Sequence, residues 1–600
     1  MDAPQDMPAG AGEPPPRPRS FSPRELRFTP QSAVRWFSPG VLAQSGLHVG
    51  VTSVFGSFLD KRELQTSKPC EPDRRHADRD EIWIDYVADT GDGFEATATV
   101  AHQVAKRRLT VAGVDEPLPR GDVLVLGGDE VYPAASAEGY ENRLEGPWRA
   151  ALPWTARDHP SVYAIPGNHD WYDGLTGFMR LFGQDDRWLG GWQSHQTRSY
   201  FAVRLPHDWW LWGIDIQSDS LIDEPQLDFF HAVAAEAAGC RLVLATAVPT
   251  WVDLDRNPLA YRNLAFLERT LLRPNRIELK LTVAGDQHHY SRYEHRGSDD
   301  TEIGPTHKIT AGGGGAFLHP THHLPRRASI GINPDAPDDV VDYEVVARYP
   351  GSGRSRLLSL RALLLAVRNP SFLVVPGTVS LALLWTIQFG LRSLSRGQQT
   401  FAEAAAGWGW GDLAGGLFRS SASAVFLLVV LIGLWAFAKT PAWAARGMRR
   451  YATKTGLAVV HLAGQVVAMV TVALVAVTVG GWASDGWAFA VVASIVAFGL
   501  GAVVGATVMG AYLALAVAIP GLHAHANEAF AAARITAYRN FLRMHIDRTG
   551  ALTVYAVGID RAVPRRRWRA VPGGEDPEAS WIEPVGAAPL PQLVDRVRIA

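Results

Sequence analysis

Ser161 to Gly174 reads SVYAIPGNHDWYDG. An apolar run, Val162 to Ile165, stops at Pro-Gly and gives way to Asn168, His169 and Asp170. The pattern predicts a buried strand whose end carries polar side chains into a loop. In α/β folds that edge is where ligands are held. Four other segments repeat it. EIWIDYVADTGDG (81–93) places Asp89 and Asp92 after a strand. DVLVLGGDEVYP (122–133) places Asp129 and Tyr132 there, with Gly127 and Gly128 allowing a sharp turn. RLVLATAVPTW (241–251) ends at Ala247, Val248 and Pro249. ELKLTVAGDQHHYSRY (278–293) delivers Asp286, His288 and His289. One acidic turn alone means little. Several strand ends with oxygen and imidazole donors point to a shared metal site.

In this order the motifs resemble the calcineurin-like metallophosphoesterase superfamily, over roughly residues 80 to 320. GNHD (167–170) is the most specific part; DxG (Asp89 to Gly91) and GDxxY (Gly128 to Tyr132) are most similar to the purple acid phosphatase branch. The resemblance implies an α/β sandwich of two mixed sheets flanked by helices, with metals at one edge and phosphoester hydrolysis at two adjacent ions. It implies that Asp129 bridges the ions, that Asp89, Tyr132 and His288 complete the first site, and that Asn168 binds the second ion. His169 is implied to touch the phosphate, with Asp170 a candidate to orient its ring. Two cations neutralise an anionic ester and lower the pKa of a shared water. Oxygen and imidazole donors suit Mn, Fe, Zn or Mg.

The chain departs from the family at the second site. The pattern GHxH aligns with Gly285 to His288, so Asp286 replaces an imidazole; HxP aligns with Ala247 to Pro249, so Ala247 replaces another. Water, Asp92, His289 or one of His319, His322 and His323 is available to fill the gap, and the second ion is expected to be weakly held. The bland reading of His319 to His323 is a polar loop. Gly312 to Gly315 reads as a tight turn beside the site rather than a phosphate cradle, because no helix start or lysine follows. DWWLWGID (208–215) reads as a core strand, Trp171 and Tyr172 as pocket wall or packing, and PRRRWR (564–569) as a lipid-facing cluster or an exposed strand or turn.

Composition divides the 600 residues near residue 370. A net charge of −2 gives no reason to expect nucleic acid, and two cysteines fit a reducing compartment. Residues 1–30, rich in Pro, Gly and charge, read as a disordered tail, 31–350 as the metallophosphoesterase domain and 351–370 as a basic linker. Residues 371–520 read as about four transmembrane helices (371–390, 421–438, 457–479 and 492–519), with five left open, and 521–600 as a cytoplasmic C-terminal segment. Arg354, Arg356, Arg361 and Arg368 precede the first span; Lys439, Arg446, Arg449, Arg450 and Lys454 follow the second; Arg534, Arg539, Arg543 and Arg548 follow the last. GGWASDGW has no Lys or Arg. That alternation predicts an inner-membrane protein with both ends cytoplasmic. His461 and Gln465 read as an interhelical hydrogen bond rather than a proton relay. Gly501 and Gly505 form a small-residue face, extended by Ala506 and Gly510, for packing within the chain or in a homodimer.

The expected protein is a membrane-anchored, metal-dependent phosphoesterase acting on a phosphate mono- or diester, with the phosphoester and the lipid bilayer as partners. A weakly catalytic phospho-ligand sensor keeping one metal is the alternative. A transporter is poorly supported, because the spans lack charge.

Overall fold

The computed structural model describes residues 16–43, 69–155, 159–216, 222–297, 305–336, 338–394, 409–419, 421–444, 447–483, 486–522, 524–573 and 576–600. They form two compact units. One draws on the described residues of Met1–Val34, Leu47–Ser352 and Ile535–Ala600; the other on those of Arg35–Gly46 and Gly353–Arg534.

The first unit contains two eight-stranded sheets. Its strands, in chain order, are β1 (Ile82–Val87), β2 (Val123–Leu126), β3 (Ser161–Ala164), β4 (Arg187–Leu189), β5 (Trp192–Ser194), β6 (Phe201–Leu205), β7 (Trp209–Ile214) and β8 (Arg241–Thr246). There follow β9 (Glu278–Ala284), β10 (Tyr290–His295), β11 (Thr306–Ala311), β12 (Arg327–Gly331), β13 (Val340–Tyr349), β14 (Ala537–Ile546), β15 (Leu552–Arg561) and β16 (Gln592–Ile599). The first sheet runs β16-β15-β14-β1-β2-β3-β5-β4 and the second β12-β13-β10-β11-β9-β8-β7-β6. Both are mixed. β1 is parallel to β2 and antiparallel to β14, while β9 is parallel to β8 and β11.

Alternation along the strands builds three layers. Ile84, Tyr86, Val123, Val125, Trp209, Leu211 and Val283 face into the core between the sheets. Leu124, Leu126 and Val162 face outward under α1 (Phe94–Val104). Trp210 and Trp212 face outward under α2 (Glu224–Glu236), so DWWLWGID is the core strand its pattern predicts.

The C-terminal residues join this unit rather than forming a segment of their own. β14 pairs with β1 in register, Asp85 opposite Arg543, and β15 and β16 extend the sheet. Arg539 and Arg543 are fully buried, so they are not loop charges as the orientation reading assumed. The tail expectation is also corrected for residues 16–30. Leu26 and Phe28 are buried against Phe94 and Trp568, and Arg17 Nη2 donates to the carbonyls of Asp576 (2.7 Å) and Ala579 (2.8 Å). Two apolar anchors suffice to fix that stretch; residues 1–15 lie outside the described residues. PRRRWR is a short turn leading into a strand, with Trp568 buried and Arg569 paired to Glu583.

The second unit is helical. Among the described residues, three helices are long and apolar enough to cross a membrane: Pro370–Phe389, Gly447–Trp482 and Trp487–Ala518. A fourth apolar helix, Ser421–Phe437, has 17 residues. The helix Trp487–Ala518 is one unbroken element of 32 residues, so no turn divides it into a fifth span. The expected linker is itself largely helical, from Ser352–Ser359 through Leu365–Arg368. A Cβ at Gly501 would lie 2.3 Å from the Ser380 side chain, and one at Gly505 2.6 Å from Pro376. The GxxxG face thus packs within the chain. Gln465 Nε2 donates to Gly505 O (3.1 Å) and lies 3.3 Å from His461 Nε2, as the interhelical reading expects.

Candidate metal centre

β1, β2 and β9 each end in an aspartate with left-handed backbone: Asp89 (φ 59), Asp129 (φ 56) and Asp286 (φ 61). Non-glycine residues avoid this region, and such strain clusters at functional sites. Local hydrogen bonds hold the turns. Asp89 N donates to Gly128 O (2.9 Å), Thr90 N to Asp129 O (3.2 Å) and Ala316 N to Asp89 O (2.8 Å). Gly312 to Gly315 is the seam between strand ends. Gly314 N donates to Ala88 O, Asn540 N donates to Gly313 O, and a Cβ at Gly313 would lie 2.1 Å from Asn540. The run is a close-packed turn.

The four first-site residues converge on one point. Tyr132 Oη lies 2.9 Å from Asp89 Oδ1, 3.1 Å from Asp129 Oδ2 and 3.1 Å from His288 Nε2. His288 Nε2 is 3.4 Å from Asp89 Oδ1. His288 Nδ1 lies 2.7 Å from Phe317 O, and a carbonyl only accepts, so Nδ1 carries the proton and Nε2 turns a lone pair to the cluster. Asp89 Oδ2 is buried with no hydrogen-bond partner. Burial holds Asp89 and Asp129 well above the usual carboxylate range, against neighbouring carboxylates, and pushes His288 down to about 3. An orphaned carboxylate oxygen, crowded acids and an imidazole fixed as an acceptor fit a cation.

GNHD wraps the proposed bridge. His169 N donates to Asp129 Oδ1 (2.9 Å), and a Cβ at Gly167 would lie 2.0 Å from that oxygen. Asn168, half-buried, donates to Tyr172 Oη at 3.4 Å, which puts Tyr172 at the site while Trp171 packs into the outer core. The role expected of Asp170 is corrected. His169 Nδ1 is held by Pro133 O at 2.7 Å. Asp170 accepts from Tyr140 Oη (2.7 Å), Gly167 N (2.9 Å) and Glu130 N (3.2 Å), fixing the loop instead. Burial lowers the His169 ring to about 4.

On the second-site side, the backbone of Asp286 lies beside the Asp89 carboxylate and favours its ionised form. Burial, with Asp89 and Asp253 nearby, raises Asp286 to about 7. Ala247 is buried, its Cβ 3.3 Å from where a Gly128 Cβ would stand. Asp92 is engaged elsewhere, accepting from Val34 N at 2.7 Å. His289 is buried beside His288, His319 and Arg348, and the His319 ring stacks on His288 at 3.9 Å. Among the described residues Asp185, Asp186 and His195 also cluster. There Arg75 Nη1 donates to His195 Nε2 (2.7 Å), so Nδ1, the ring atom 4.0 Å from Asp186 Oδ1, carries the proton and offers an ion no lone pair.

Arg539 escaped the sequence reading as a site residue. It is fully buried, donates to Ala316 O and to Ala537 O (2.9 Å), and its charge favours ionised Asp89. The usable signal was two apolar, alternating runs around Asp547–Gly550, a hairpin pattern.

Residues 82–290, within the first unit, match the family model of calcineurin-like phosphoesterases. A solved structure described as "Structure of PhoD" aligns at 12% identity and a TM-score of 0.26, covering 39% of this chain and 56% of that one. The alignment thus spans little more than half of that protein. No curated protein matches the chain.

Proposed function

We propose that the protein is a membrane-anchored, metal-dependent phosphoesterase that hydrolyses a phosphate mono- or diester. The observation that carries this is the convergence of Asp89, Asp129 and His288 on Tyr132 Oη, with Asp89 Oδ2 left without a partner. Asp89, Asp129, Tyr132 and His288 would hold a first ion, and Asp129, Asn168 and Asp286 a second, weaker one. Bound ions supply charge neutralisation at the phosphate and a more acidic water. The chain's own residues do the rest. Pro133 O fixes the His169 tautomer, so Nε2 faces the reacting group as an acceptor in the neutral ring. An anionic phosphate alongside favours the imidazolium, which then delivers its Nε2 proton to the leaving oxygen.

Anchoring rests on the apolar helices. β1, before the helices, pairs with β14, after them, which calls for an even number of crossings. Four helices meet that requirement if Ser421–Phe437 spans, and its 17 residues reach the lower limit of about 17. With both ends cytoplasmic at an inner membrane, the exposed Arg354, Arg356 and Arg361 obey the positive-inside bias.

Ala247 favours a second reading, a weakly catalytic phospho-ligand sensor, because a methyl group replaces a ligand. Metal content of the purified protein, with turnover of a generic aryl phosphate, separates the two. Asp286→Ala should lower metal stoichiometry from two ions to one; unchanged stoichiometry would make Asp286 a structural carboxylate.

A further inference from the structure

The outer face of the second sheet carries a cavity of about 780 Å³. That is the size of a small-molecule pocket, about 300–1,000 Å³. Trp251 and Ile332 are buried in its wall. At its mouth, Leu259 is 61% and Phe266 39% exposed, an apolar surface. Arg262, Arg269 and Arg327 stand around it against Asp255. Arg327 also pairs with Glu344 at 2.8 Å, and the surround remains cationic. Behind the wall, buried Lys308 Nζ donates to Tyr261 Oη (2.7 Å) and lies 5.8 Å from the Trp251 ring, fixing both aromatic side chains. The pocket is therefore preformed, apolar inside and positive outside.

Its walls continue the loops of the metal centre. Ala247 stands beside Gly128, and Trp251 follows four residues later, at most about 14 Å of extended chain. His319 stacks on His288, and Pro325, also in the wall, follows six residues later, at most about 21 Å away. The wall therefore lies within one long hydrocarbon ligand's length of residues beside the ion donors.

We propose that this cavity holds the hydrocarbon chain of an anionic amphiphile, and that the substrate class is a lipid phosphate ester. The proposal rests on the phosphoesterase reading. Three features select this occupant: an apolar interior, a cationic surround, and apolar helices on the same chain that would keep the domain among lipids.

The test uses the full chain in lipid nanodiscs with Mn²⁺. Hydrolysis of phosphatidic acid is compared with that of p-nitrophenyl phosphate, for wild type, Leu259→Glu and Phe266→Glu. Both positions are partly in water, which favours folding of the variants. The lipid-to-aryl ratio of kcat/KM should fall roughly tenfold or more in the variants, as expected from losing one buried apolar side chain. A ratio that does not move overturns the proposal. Binding of pyrene-labelled lysophosphatidic acid to chelator-treated protein gives a readout independent of turnover. Binding weakened by Leu259→Glu supports the cavity, and binding indifferent to it counts against it. Failure of wild type on both esters contradicts the phosphoesterase reading and with it the assignment of a substrate, while the binding arm still decides whether a lipid occupies the cavity.

Discussion

Arg543 clamps Asp85 with two hydrogen bonds, Nε to Oδ1 at 2.7 Å and Nη2 to Oδ2 at 2.9 Å, and the partners are 458 residues apart in sequence. Both side chains are buried, and Nη2 also donates to Val104 O at 2.9 Å. The pair joins β14 to β1, the strand that ends at Asp89. The C-terminal strands are thus part of the scaffold that places the first ion donors.

Removing one partner should be costly. Arg543→Ala leaves a buried carboxylate uncompensated and should destabilise the first unit by about 3–5 kcal/mol. Thermal unfolding in detergent would show it as a lower midpoint. An Asp85→Leu/Arg543→Leu double variant should recover much of the loss. A single variant as stable as wild type would mean that the pair does not hold β14 and β1 in register.

The fold of the first unit was legible wherever an apolar run ended in ligand-type residues, because strand and site are then read together. Asp89, Asp129, Tyr132 and His288, grouped by the family resemblance, lie together around Tyr132 Oη. The C-terminal strands were not legible, since pairing β14 with β1 is non-local and the intervening chain is mostly apolar helix. Arg539 and Arg543 looked like loop charges, and only three-dimensional pairing shows which carbonyls and carboxylate they serve. The role of Asp170 was misplaced for a related reason. Adjacency in sequence suggested His169 as its partner, whereas the turn aims it at Tyr140 and two backbone amides.

His169 should separate binding from chemistry. Its ring is anchored through Nδ1 to Pro133 O and is not among the proposed ion ligands. His169→Ala should keep wild-type metal content and lose rate by about 10²–10⁴-fold. Metal loss in that variant, read by elemental analysis, would contradict the assignment.

The raised carboxylates should cost the ion-free protein stability as pH rises, whereas the lowered His169 and His288 rings act the other way. Asp286 is held up to about 7 in the fold, against about 3.9 in an unfolded chain. Between those values the folded state keeps a proton that the unfolded state has lost, so stability falls with rising pH. Asp89 and Asp129 shift in the same direction and deepen the fall. Relative to wild type, chelator-treated Asp286→Asn, which cannot ionise at this position, should therefore gain melting temperature from pH 4.5 to pH 7.5, while His169 and His288 titrate alike in both proteins. A difference that stays constant or shrinks across this window would refute the electrostatic account.

The proposed four-span topology rests on the shared sheet. Reporter fusions at the C-terminus and after Gly481, between the last two apolar helices, should report opposite sides of the membrane. Agreement between them would exclude a four-span arrangement.

The most direct test of the central claim is elemental analysis of purified wild-type and Asp129→Asn protein, paired with turnover of an aryl phosphate. Asp129 is the proposed bridge between the ions. The account predicts bound metal and Mn²⁺-stimulated hydrolysis in wild type, and loss of both in Asp129→Asn with the fold retained. Metal and activity that persist in Asp129→Asn would contradict it.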